Sequence, residues 1–228
     1  MPGPLQCSAC SGAAGSLFSC LLPEQRSRLS SAAVPHAYRV HETLFHEGTP
    51  ALAVHCVRSG TIKLFRRLVN GEEVVVGTRG PGDLVGLRGV LAEIPYASTA
   101  TTLDSAIVCA IPGETFLGLA RENPILGLRI LTRLARESRL LEEQLVERNH
   151  SSVAKRTARF LAAHLHGGAP TGARVVISMS REEMAQLIGT TPETLSRTLH
   201  SLADDGILAM DRKEVHVLDL PALLKRAE

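Results

Sequence analysis

The spacing of apolar residues changes near residue 112, and this change constrains the fold more than any other feature of the sequence. Between Tyr38 and Ile111, short apolar runs alternate with glycine turns, and Asn70-Gly71 between two runs is a strong hairpin signal. Beyond Ile111 the apolar residues recur at helical spacing. A small antiparallel barrel or sandwich followed by helices is therefore predicted. Its strands are expected at Ala53–Arg58, Gly60–Arg66, Glu73–Thr78, Leu84–Leu87, Ser98–Thr102 and Ala106–Ile111.

A long helix is predicted from Ile125 to Asn149, because this stretch contains no proline and no glycine after Gly127. Along it, apolar or small residues recur at alternating steps of three and four with charged flanks, which is typical of a coiled-coil seam. The alternative is that this face packs against the protein's own β-domain. We predict a dimer seam formed by Leu131, Leu134, Ser138, Leu141 and Leu145.

The C-terminal region has the order of elements expected of a winged helix-turn-helix. The segment Ser180–Glu183 is a capping box that begins a short helix. A tight turn at Ile188–Thr190 leads into a second helix that ends near Leu202. The apolar runs Ile207–Met210 and Val215–Leu218 predict a hairpin. Helix, turn, helix and hairpin in this order indicate a DNA-binding module.

The first turns of that second helix carry side chains suited to reading base pairs. Glu193, Ser196 and Arg197 share one helical face. Arg can bond guanine, Glu can accept from cytosine, and Ser can bond either kind of base edge. We therefore predict binding to double-stranded DNA in the major groove; the alternative is a helical hairpin whose Glu and Arg are only solvated. Phosphate contacts are expected from Thr190, Thr191, Thr198, Arg212 and Lys213.

Charge, hydropathy and the lack of catalytic motifs exclude several classes of function. The formal net charge is only +2, so any DNA surface must be local and would gain strength from dimerisation. No apolar run approaches the roughly 20 residues of a membrane helix. No Lys or Arg precedes Arg26, so we expect no signal peptide and place the chain in the cytoplasm. No nucleophile elbow, P-loop or His-Glu metal motif is present, and we expect no enzyme.

Five cysteines in a cytoplasmic chain indicate metal binding, redox chemistry or burial rather than structural disulfides. Cys7, Cys10 and Cys20 lie in a small, polar N-terminal segment without a core pattern. Cys7 and Cys10 could bind zinc or form a reversible disulfide. Cys56 lies in an apolar strand and is expected to be a core residue. Cys109 taken alone is also consistent with burial, because cysteine is commonly buried.

From Gly48 onward the sequence resembles the CRP/FNR family of bacterial regulators. The resemblance rests on Arg58–Lys63, Gly82–Gly86, Cys109–Pro112 and Glu193–Arg197. It implies an α+β fold with an N-terminal antiparallel, cupin-like β-roll, a long dimerisation helix and a C-terminal winged helix-turn-helix. The implied divisions are a cysteine-rich segment at 1–24, a β-roll sensor domain at 25–118, the dimerisation helix at 119–149 and the DNA-binding domain at 150–228.

The FNR branch of this family implies both a DNA site and a cofactor. In that branch, Glu, Ser and Arg at the positions of Glu193, Ser196 and Arg197 read a TTGAT-type half-site of an inverted repeat bound by a homodimer. A cysteine-rich N-terminus and one distant Cys hold a [4Fe-4S] cluster, which needs four thiolates and is destroyed by oxygen. The gap of nine residues between the second and third cysteines is longer than in the branch, but closing such a loop costs little extra. The implied ligands are Cys7, Cys10, Cys20 and Cys109.

A cyclic nucleotide is not expected as the effector. Family members that bind one share a Gly-Glu pair followed by Arg-Ser or Arg-Thr, whereas this chain has Leu84–Arg88 and Ala97–Thr99. A cyclic phosphate would therefore lack its bidentate partner. The alternative to a cluster is control by a small-molecule effector or by thiol oxidation. RNA polymerase is an expected partner, with the loops around Asn70-Gly71 and Gly80–Gly82 as contacts unless they are only solvated turns.

Overall fold

The computed structural model describes residues 17–163, 174–176, 179–211 and 214–227. The chain divides into two compact units, Met1–Glu137 and Ser138–Glu228. Four residues singled out by the sequence, namely Cys7, Cys10, Arg212 and Lys213, lie outside the described residues. In the described part of the chain, no helix is both long enough and apolar enough to cross a membrane.

The first unit is built on two antiparallel sheets of four strands each. The strands are β1 Val34–Tyr38, β2 Thr43–Phe45, β3 Ala53–Ser59, β4 Ile62–Arg67, β5 Glu73–Arg79, β6 Leu84–Val85, β7 Thr99–Thr102 and β8 Ala106–Pro112. The first sheet has the order β1-β8-β3-β6 and the second β2-β7-β4-β5. Because most neighbouring strands are distant in sequence, the chain passes repeatedly between the sheets. The predicted antiparallel β-roll is confirmed.

Apolar side chains fill the space between the two sheets. We call this group the inter-sheet cluster; it contains Val57, Ile62, Leu64, Val85, Ala100, Ala106 and Val108. Val57 and Ile62 have no exposed surface at all. Burying a Val or Ile side chain of this kind stabilises the fold by about 1.5–3 kcal/mol.

The opposite face of the first sheet is covered by helices. A 3₁₀ turn at Leu17–Cys20 precedes α1 Pro23–Ala32; the unit then has α2 Leu87–Ala92 and α3 Gly113–Glu122, and α4 Pro124–His150 begins within it. Apolar residues of these helices pack on the sheet in a second group, the helix-side cluster. It includes Leu29, Val54, Leu84, Val90, Ile111, Phe116, Leu119, Leu126 and Ile130. Strand β8 thus packs against apolar residues on both faces, which explains its nearly continuous apolar sequence.

The second unit contains the predicted winged helix-turn-helix. Its elements are α5 Val153–Ala163, β9 Arg174–Val176, α6 Arg181–Ile188, α7 Pro192–Asp204, β10 Leu208–Asp211, β11 Glu214–Val217 and α8 Leu220–Ala227. The three strands form one sheet in the order β10-β11-β9. Leu161 of α5, Leu195 and Leu199 of α7, and Leu223 of α8 are fully buried. The helix-turn-helix is therefore held on α5 and α8 by an aliphatic core.

Some predicted bounds differ from the structure for identifiable reasons. The strand expected at Leu84–Leu87 ends at Val85, because Gly86 has a φ of +80° and precedes α2. Strand β1 was not predicted, since Pro35 interrupts its pattern; it is an edge strand of its sheet, where proline is tolerated. The sequence division between residues 118 and 119 falls inside α3.

Candidate nucleic-acid interface and cysteine site

The turn between α6 and α7 is fixed by backbone hydrogen bonds around one glycine. Gly189 has a φ of +74°, a left-handed conformation that glycine adopts without strain. The N–H of Gly189 donates to the carbonyl of Gln186 at 3.2 Å, and that of Thr190 to the carbonyl of Ala185 at 2.9 Å. Bonds of this kind satisfy carbonyls at the end of a helix. They set the direction in which α7 leaves the turn.

Both helices begin with side-chain caps. The predicted capping box of α6 is present: Ser180 Oγ accepts from the Glu183 N–H at 3.1 Å, and the Glu183 carboxylate accepts from the Ser180 N–H at 2.8 Å. At α7, Thr191 Oγ1 accepts from the Thr194 N–H at 3.3 Å, and Pro192 occupies the first turn. Such caps fix where each helix begins. The start of α7 is therefore well defined.

The exposed face of α7 carries the three residues predicted to read DNA. Glu193 and Arg197 are exposed and Ser196 is half-buried, while Leu195 and Leu199 of the same helix are buried. The backbone N–H of Glu193, the Thr191 hydroxyl and the charge of Arg197 hold the pKa of Glu193 below its usual range. Glu193 is thus an ionised acceptor one turn away from a cationic donor. The face offers both hydrogen-bonding types to base edges.

Arg156, on α5, holds the helix-turn-helix together and was not identified from the sequence. Its Nε donates to the carbonyl of Ile188 at 2.9 Å and its Nη2 to the carbonyl of Gly189 at 3.0 Å. Its Nη1 also donates to the Ser151 carbonyl. Cationic groups are favourable at a helix C-terminus, where carbonyls carry partial negative charge. Arg156 positions the turn rather than contacting bases.

The residues predicted to contact phosphates differ in burial and in hydrogen bonding. The hydroxyls of Thr191 and Thr198 are engaged within α7, with Thr194 Oγ1 and the Thr194 carbonyl respectively. Thr190 is half-buried in the turn. Arg212 and Lys213 lie outside the described residues.

A second arginine missed by the sequence analysis lies at the start of α6. Arg181 Nη1 is buried without a hydrogen-bond partner among the described residues, and Nη2 lies 3.8 Å from Met210 Sδ. Burial lowers the pKa of this guanidinium. Arg181 Nη1 therefore has an unused hydrogen-bond donor, and the side chain lies next to β10.

Two of the four predicted cluster ligands are described, and both belong to the helix side of the first sheet. Cys20 packs against the helix-side cluster. Cys109 is 5% exposed and lies two residues before Ile111 on β8, so both side chains face the helices. Cys56, predicted as a core residue, is half-buried and packs against the same cluster. Among the described residues, no group of three or more metal-ligating side chains is assembled.

The turn that carries Cys20 is hydrogen-bonded to the beginning of α4. Asn123 Nδ2 donates to the Cys20 carbonyl at 3.2 Å and to Gln25 Oε1 at 2.9 Å, and Asn123 Oδ1 accepts from the Leu126 N–H at 3.1 Å. Arg129 Nη1 donates to Ser19 Oγ at 2.5 Å. The position of the turn and that of the helix start therefore depend on each other.

A buried histidine lies among aromatic rings in the β-roll. His55 is 8% exposed, and its ring centroid is 5.2 Å from that of Phe45. Phe45 in turn stacks on Tyr96 at 3.7 Å, and the Tyr96 hydroxyl donates to the Ala53 carbonyl at 2.7 Å. Burial, with a smaller contribution from the charge of His36, lowers the pKa of His55 to about 4. The imidazole is neutral at physiological pH.

The predicted dimer seam is mostly exposed in a single chain. Leu131, Leu141 and Leu145 are 64%, 49% and 63% exposed, and Ser138 is also exposed. Leu134 differs, because it packs against the helix-side cluster of its own chain. The alternative of packing on the β-domain thus applies to one of the five positions. The other four, three leucines and Ser138, form a stripe that the described residues leave exposed.

Two family models match the chain on either side of this stripe. The model described as a cyclic nucleotide-binding domain matches residues 35–123, and the Crp-like helix-turn-helix domain matches residues 155–226. A β-roll of the first type joined to a DNA-binding module of the second defines a class of transcriptional regulators, which are not enzymes.

Comparison with known proteins narrows this class. The transcriptional activator protein anr of Pseudomonas aeruginosa is 32% identical over 181 residues, which are 78% of this chain and 74% of that protein. The cyclic AMP receptor protein of Thermus thermophilus is 28% identical over 91% of this chain and 94% of its own length. FixK2 from Bradyrhizobium japonicum shares the fold, with a TM-score of 0.76, 23% identity and coverage of 86% and 98% of the two chains. The chain belongs to the CRP/FNR family, whose members are dimeric DNA-binding regulators.

Proposed function

We propose that the protein is a homodimeric regulator that binds an inverted repeat of TTGAT-like half-sites under the control of an oxygen- or redox-sensitive [4Fe-4S] cluster. The observation that carries the DNA half is the exposed face of α7, where Glu193, Ser196 and Arg197 lie opposite buried leucines. The Glu193 carboxylate accepts hydrogen bonds from base edges, the Ser196 hydroxyl donates or accepts, and the Arg197 guanidinium donates. The phosphate contacts are proposed from Thr190, Thr191, Thr198, Arg212 and Lys213.

Replacing Arg197 with Ala tests the DNA half of the proposal. The variant is expected to lose discrimination at one guanine of the half-site, by about 1–3 kcal/mol or roughly 5- to 150-fold. Fluorescence anisotropy would compare the inverted repeat with a repeat in which that guanine is replaced. Lys225→Ala, which removes one charge from an exposed position on α8, is the matched control and should keep full discrimination. Equal discrimination by wild type and Arg197→Ala would contradict the assignment.

The cluster half of the proposal rests on the cysteines of the helix side. Cys20 packs on the helix-side cluster and Cys109 faces it from β8, so these two thiols are compatible with a shared ligand set. Thiolates are the donors that iron–sulfur clusters require, and the surrounding apolar residues limit solvent access. Cys7 and Cys10 would complete the four ligands. A bound cluster supplies reactivity toward oxygen, which these residues lack.

The hydrogen bonds around Asn123 support a route from the cysteines to DNA. Asn123 joins the Cys20 carbonyl to the first turn of α4, and Arg129 of α4 bonds Ser19. We propose that ligation of Cys20 holds this turn in place, which favours the α4 register in which two chains pair through the seam. Loss of ligation releases the turn and weakens pairing. DNA affinity then falls, because a single half-site offers few contacts.

Air-free purification tests the cluster directly. The expected result is a brown protein with iron and sulfide, both lost in air together with tight binding to the inverted repeat. Cys20→Ser and Cys109→Ser should lose the iron, whereas Cys56→Ser, the matched control on the same side of the sheet, should retain it. A colourless, iron-free protein that still binds the repeat tightly would defeat the cluster and favour control by a small-molecule effector or thiol oxidation.

The proposed effector is not a cyclic nucleotide. One relative is named as a cyclic AMP receptor protein, but this chain has no arginine from Gly89 to Ala120 to pair with a cyclic phosphate. Isothermal titration with cyclic AMP is expected to show no heat of binding. Binding of cyclic AMP with micromolar affinity would contradict this proposal.

RNA polymerase is the proposed protein partner. The turn between β4 and β5 carries Leu68 and Val69, which are 47% and fully exposed, next to Asn70-Gly71. Apolar side chains at an exposed hairpin are available for a protein contact. Val69→Asp should therefore leave DNA binding unchanged and lower transcription from a promoter with the inverted repeat.

A further inference from the structure

We propose that Cys56 and Cys109 form a reversible disulfide between neighbouring strands. In the antiparallel pair of β3 and β8, Cys56 lies directly opposite Cys109. Cα atoms of opposed residues in such a pair are about 4.5 or 5.5 Å apart, depending on the type of pair. A disulfide joins Cα atoms about 4.4–6.8 Å apart. The Val57 N–H donates to the Asp83 carbonyl and the Val57 carbonyl accepts from the Gly82 N–H, so the neighbouring Cys56 directs its backbone groups toward β8 and forms a hydrogen-bonded pair with Cys109. The Cα separation of such a pair lies within the disulfide range, and its Cβ atoms, about 5.5 Å apart, must approach by about 1 Å for the bond to form.

The two thiols also face the same side of the sheet. Val54 and Ile111 are opposed in the same register, and both belong to the helix-side cluster. Cys56 lies two residues after Val54 and Cys109 two residues before Ile111, and side chains two apart on a strand share a face. The contact of Cys56 with the helix-side cluster agrees with this orientation.

The strand register favours this pairing over a bond from Cys109 to Cys20. Cys56 is held opposite Cys109 by the strand pairs on both sides, Val54 with Ile111 and Val57 with Val108. Cys20 belongs to a short 3₁₀ turn, and its Sγ lies 3.4 Å from the Leu17 carbonyl. Linking Cys20 to β8 would have to rearrange that turn, whereas the bond between the strands needs only a small approach of two residues that already lie opposite each other.

The oxidant we propose is a hydroperoxide. Cys56 is half-buried and Cys109 buried, so Cys56 meets the oxidant first. Its sulfur attacks one peroxide oxygen, the O–O bond breaks, and hydrogen peroxide leaves one water and a sulfenic acid on Cys56. The Cys109 sulfur then displaces the sulfenic oxygen, which leaves as a second water with the remaining thiol proton. Two thiols lose two electrons in total, and the peroxide is reduced to two waters.

This disulfide would give the protein a second signal, peroxide, that controls the cluster. That consequence rests on the proposed function. Cys109 is one of the four proposed cluster ligands, and a sulfur in a disulfide is no longer a thiolate ligand. Oxidation of Cys56 and Cys109 would therefore block reassembly of a cluster until a thiol reductant reopens the bond. Cys56 would then regulate access to Cys109 in addition to packing in the core.

Peptide mapping tests the pairing, because trypsin separates the cysteines. Val40–Arg58 contains only Cys56, Gly89–Arg121 contains only Cys109, and Met1–Arg26 contains the other three. The full chain, purified without air, is treated with hydrogen peroxide, alkylated and digested without reductant. The expected product is Val40–Arg58 linked to Gly89–Arg121, and dithiothreitol should separate the two peptides.

Two variants and an iron assay distinguish the outcomes. Cys20→Ser should still form the link and Cys56→Ser should not. Alkylated Cys56 and Cys109 in unlinked peptides, or Cys109 linked to Met1–Arg26, would overturn the disulfide whatever the iron content. A linked pair in a protein that never takes up iron would support the disulfide and reject the cluster. If iron is present, peroxide-treated wild type should fail to regain it before reduction, whereas Cys56→Ser should regain it.

Discussion

At the scale of single residues, Arg156 bears on DNA binding because it joins α5 to the turn before α7. Arg156→Lys retains the charge but cannot fork between the carbonyls of Ile188 and Gly189. Because the site is partly exposed, the free energy of unfolding should fall by about 1–2 kcal/mol, measured by urea denaturation. Affinity for specific and random DNA should fall by the same factor, because no base contact is lost. Arg139→Lys, on an exposed part of α4, should change neither, and a specificity change in Arg156→Lys would disprove the positioning role.

His55 should make stability depend on pH within a defined window. Its pKa is about 4 in the fold and about 6.5 in the unfolded chain, so above pH 6.5 it is neutral in both states and contributes no pH dependence. Between about pH 6.5 and 4 the unfolded chain binds a proton that the fold excludes, so the free energy of unfolding falls as pH falls, by up to about 3 kcal/mol. Denaturant titrations across this range should show a smaller slope for His55→Gln than for the wild type. Identical slopes in the two proteins would contradict the buried, neutral histidine.

Sequence reasoning identified residues whose roles depend on local spacing. Glu193, Ser196 and Arg197 follow from helical periodicity, and the structure leaves them on one accessible face. Arg156 could not be identified in this way, because its partner carbonyls lie 32 and 33 residues away and meet it only through tertiary packing. The opposition of Cys56 and Cys109 likewise depends on strand register, which the sequence does not specify.

At the scale of elements, the passage from β6 to α2 requires a glycine for two separate reasons. Gly86 has a φ of +80°, and a Cβ there would lie 2.6 Å from Tyr96 Cε1 and 3.2 Å from the Ala53 carbonyl oxygen. Gly48 has the same φ but nothing within 4 Å of a Cβ. Gly48→Ala should cost only the backbone strain of about 1–2 kcal/mol. Gly86→Ala should cost roughly 2–5 kcal/mol, because Tyr96 is held by its stacking and hydrogen bonds and cannot move aside easily.

Thermal denaturation of the two glycine variants measures this difference. Both should melt below wild type, and Gly86→Ala should melt lowest. Equal losses would mean that Tyr96 yields to the added methyl group, and that only backbone conformation matters at this turn.

Elements with a regular pattern were predicted well, and those defined by their surroundings were not. The hairpin at Asn70-Gly71 and the helices α4, α6 and α7 follow from turn residues, caps and periodicity. Strand β1 depends on pairing with β8, α2 on the left-handed Gly86, and α8 on burial of Leu223 against α5. These three elements are stabilised by partners that are distant in sequence, so local propensity gives little indication of them.

At the scale of the whole molecule, the exposed stripe of α4 should control assembly. Leu131→Lys or Leu145→Lys should raise the dimer dissociation constant by roughly tenfold or more, since losing one buried leucine contact costs about 1.5–3 kcal/mol. Sedimentation equilibrium measures the constant, and binding to the inverted repeat should weaken in parallel. Leu140→Lys, at an exposed position outside the seam, is the matched control and should leave both unchanged. Normal dimers of Leu131→Lys would place the contact elsewhere.

The packing of separate apolar clusters on the two faces of β8 has a consequence for chemical damage. Residues on one side of this strand belong to the inter-sheet cluster, which contains no sulfur, and those on the other side include Cys109. Oxidation or ligation of the thiols would therefore introduce polar groups on the helix side of β8 only. The inter-sheet cluster lies on the other face of the strand and would stay apolar. The proposed sulfur chemistry would thus be confined to the helix side of β8, and the inter-sheet cluster would keep its packing.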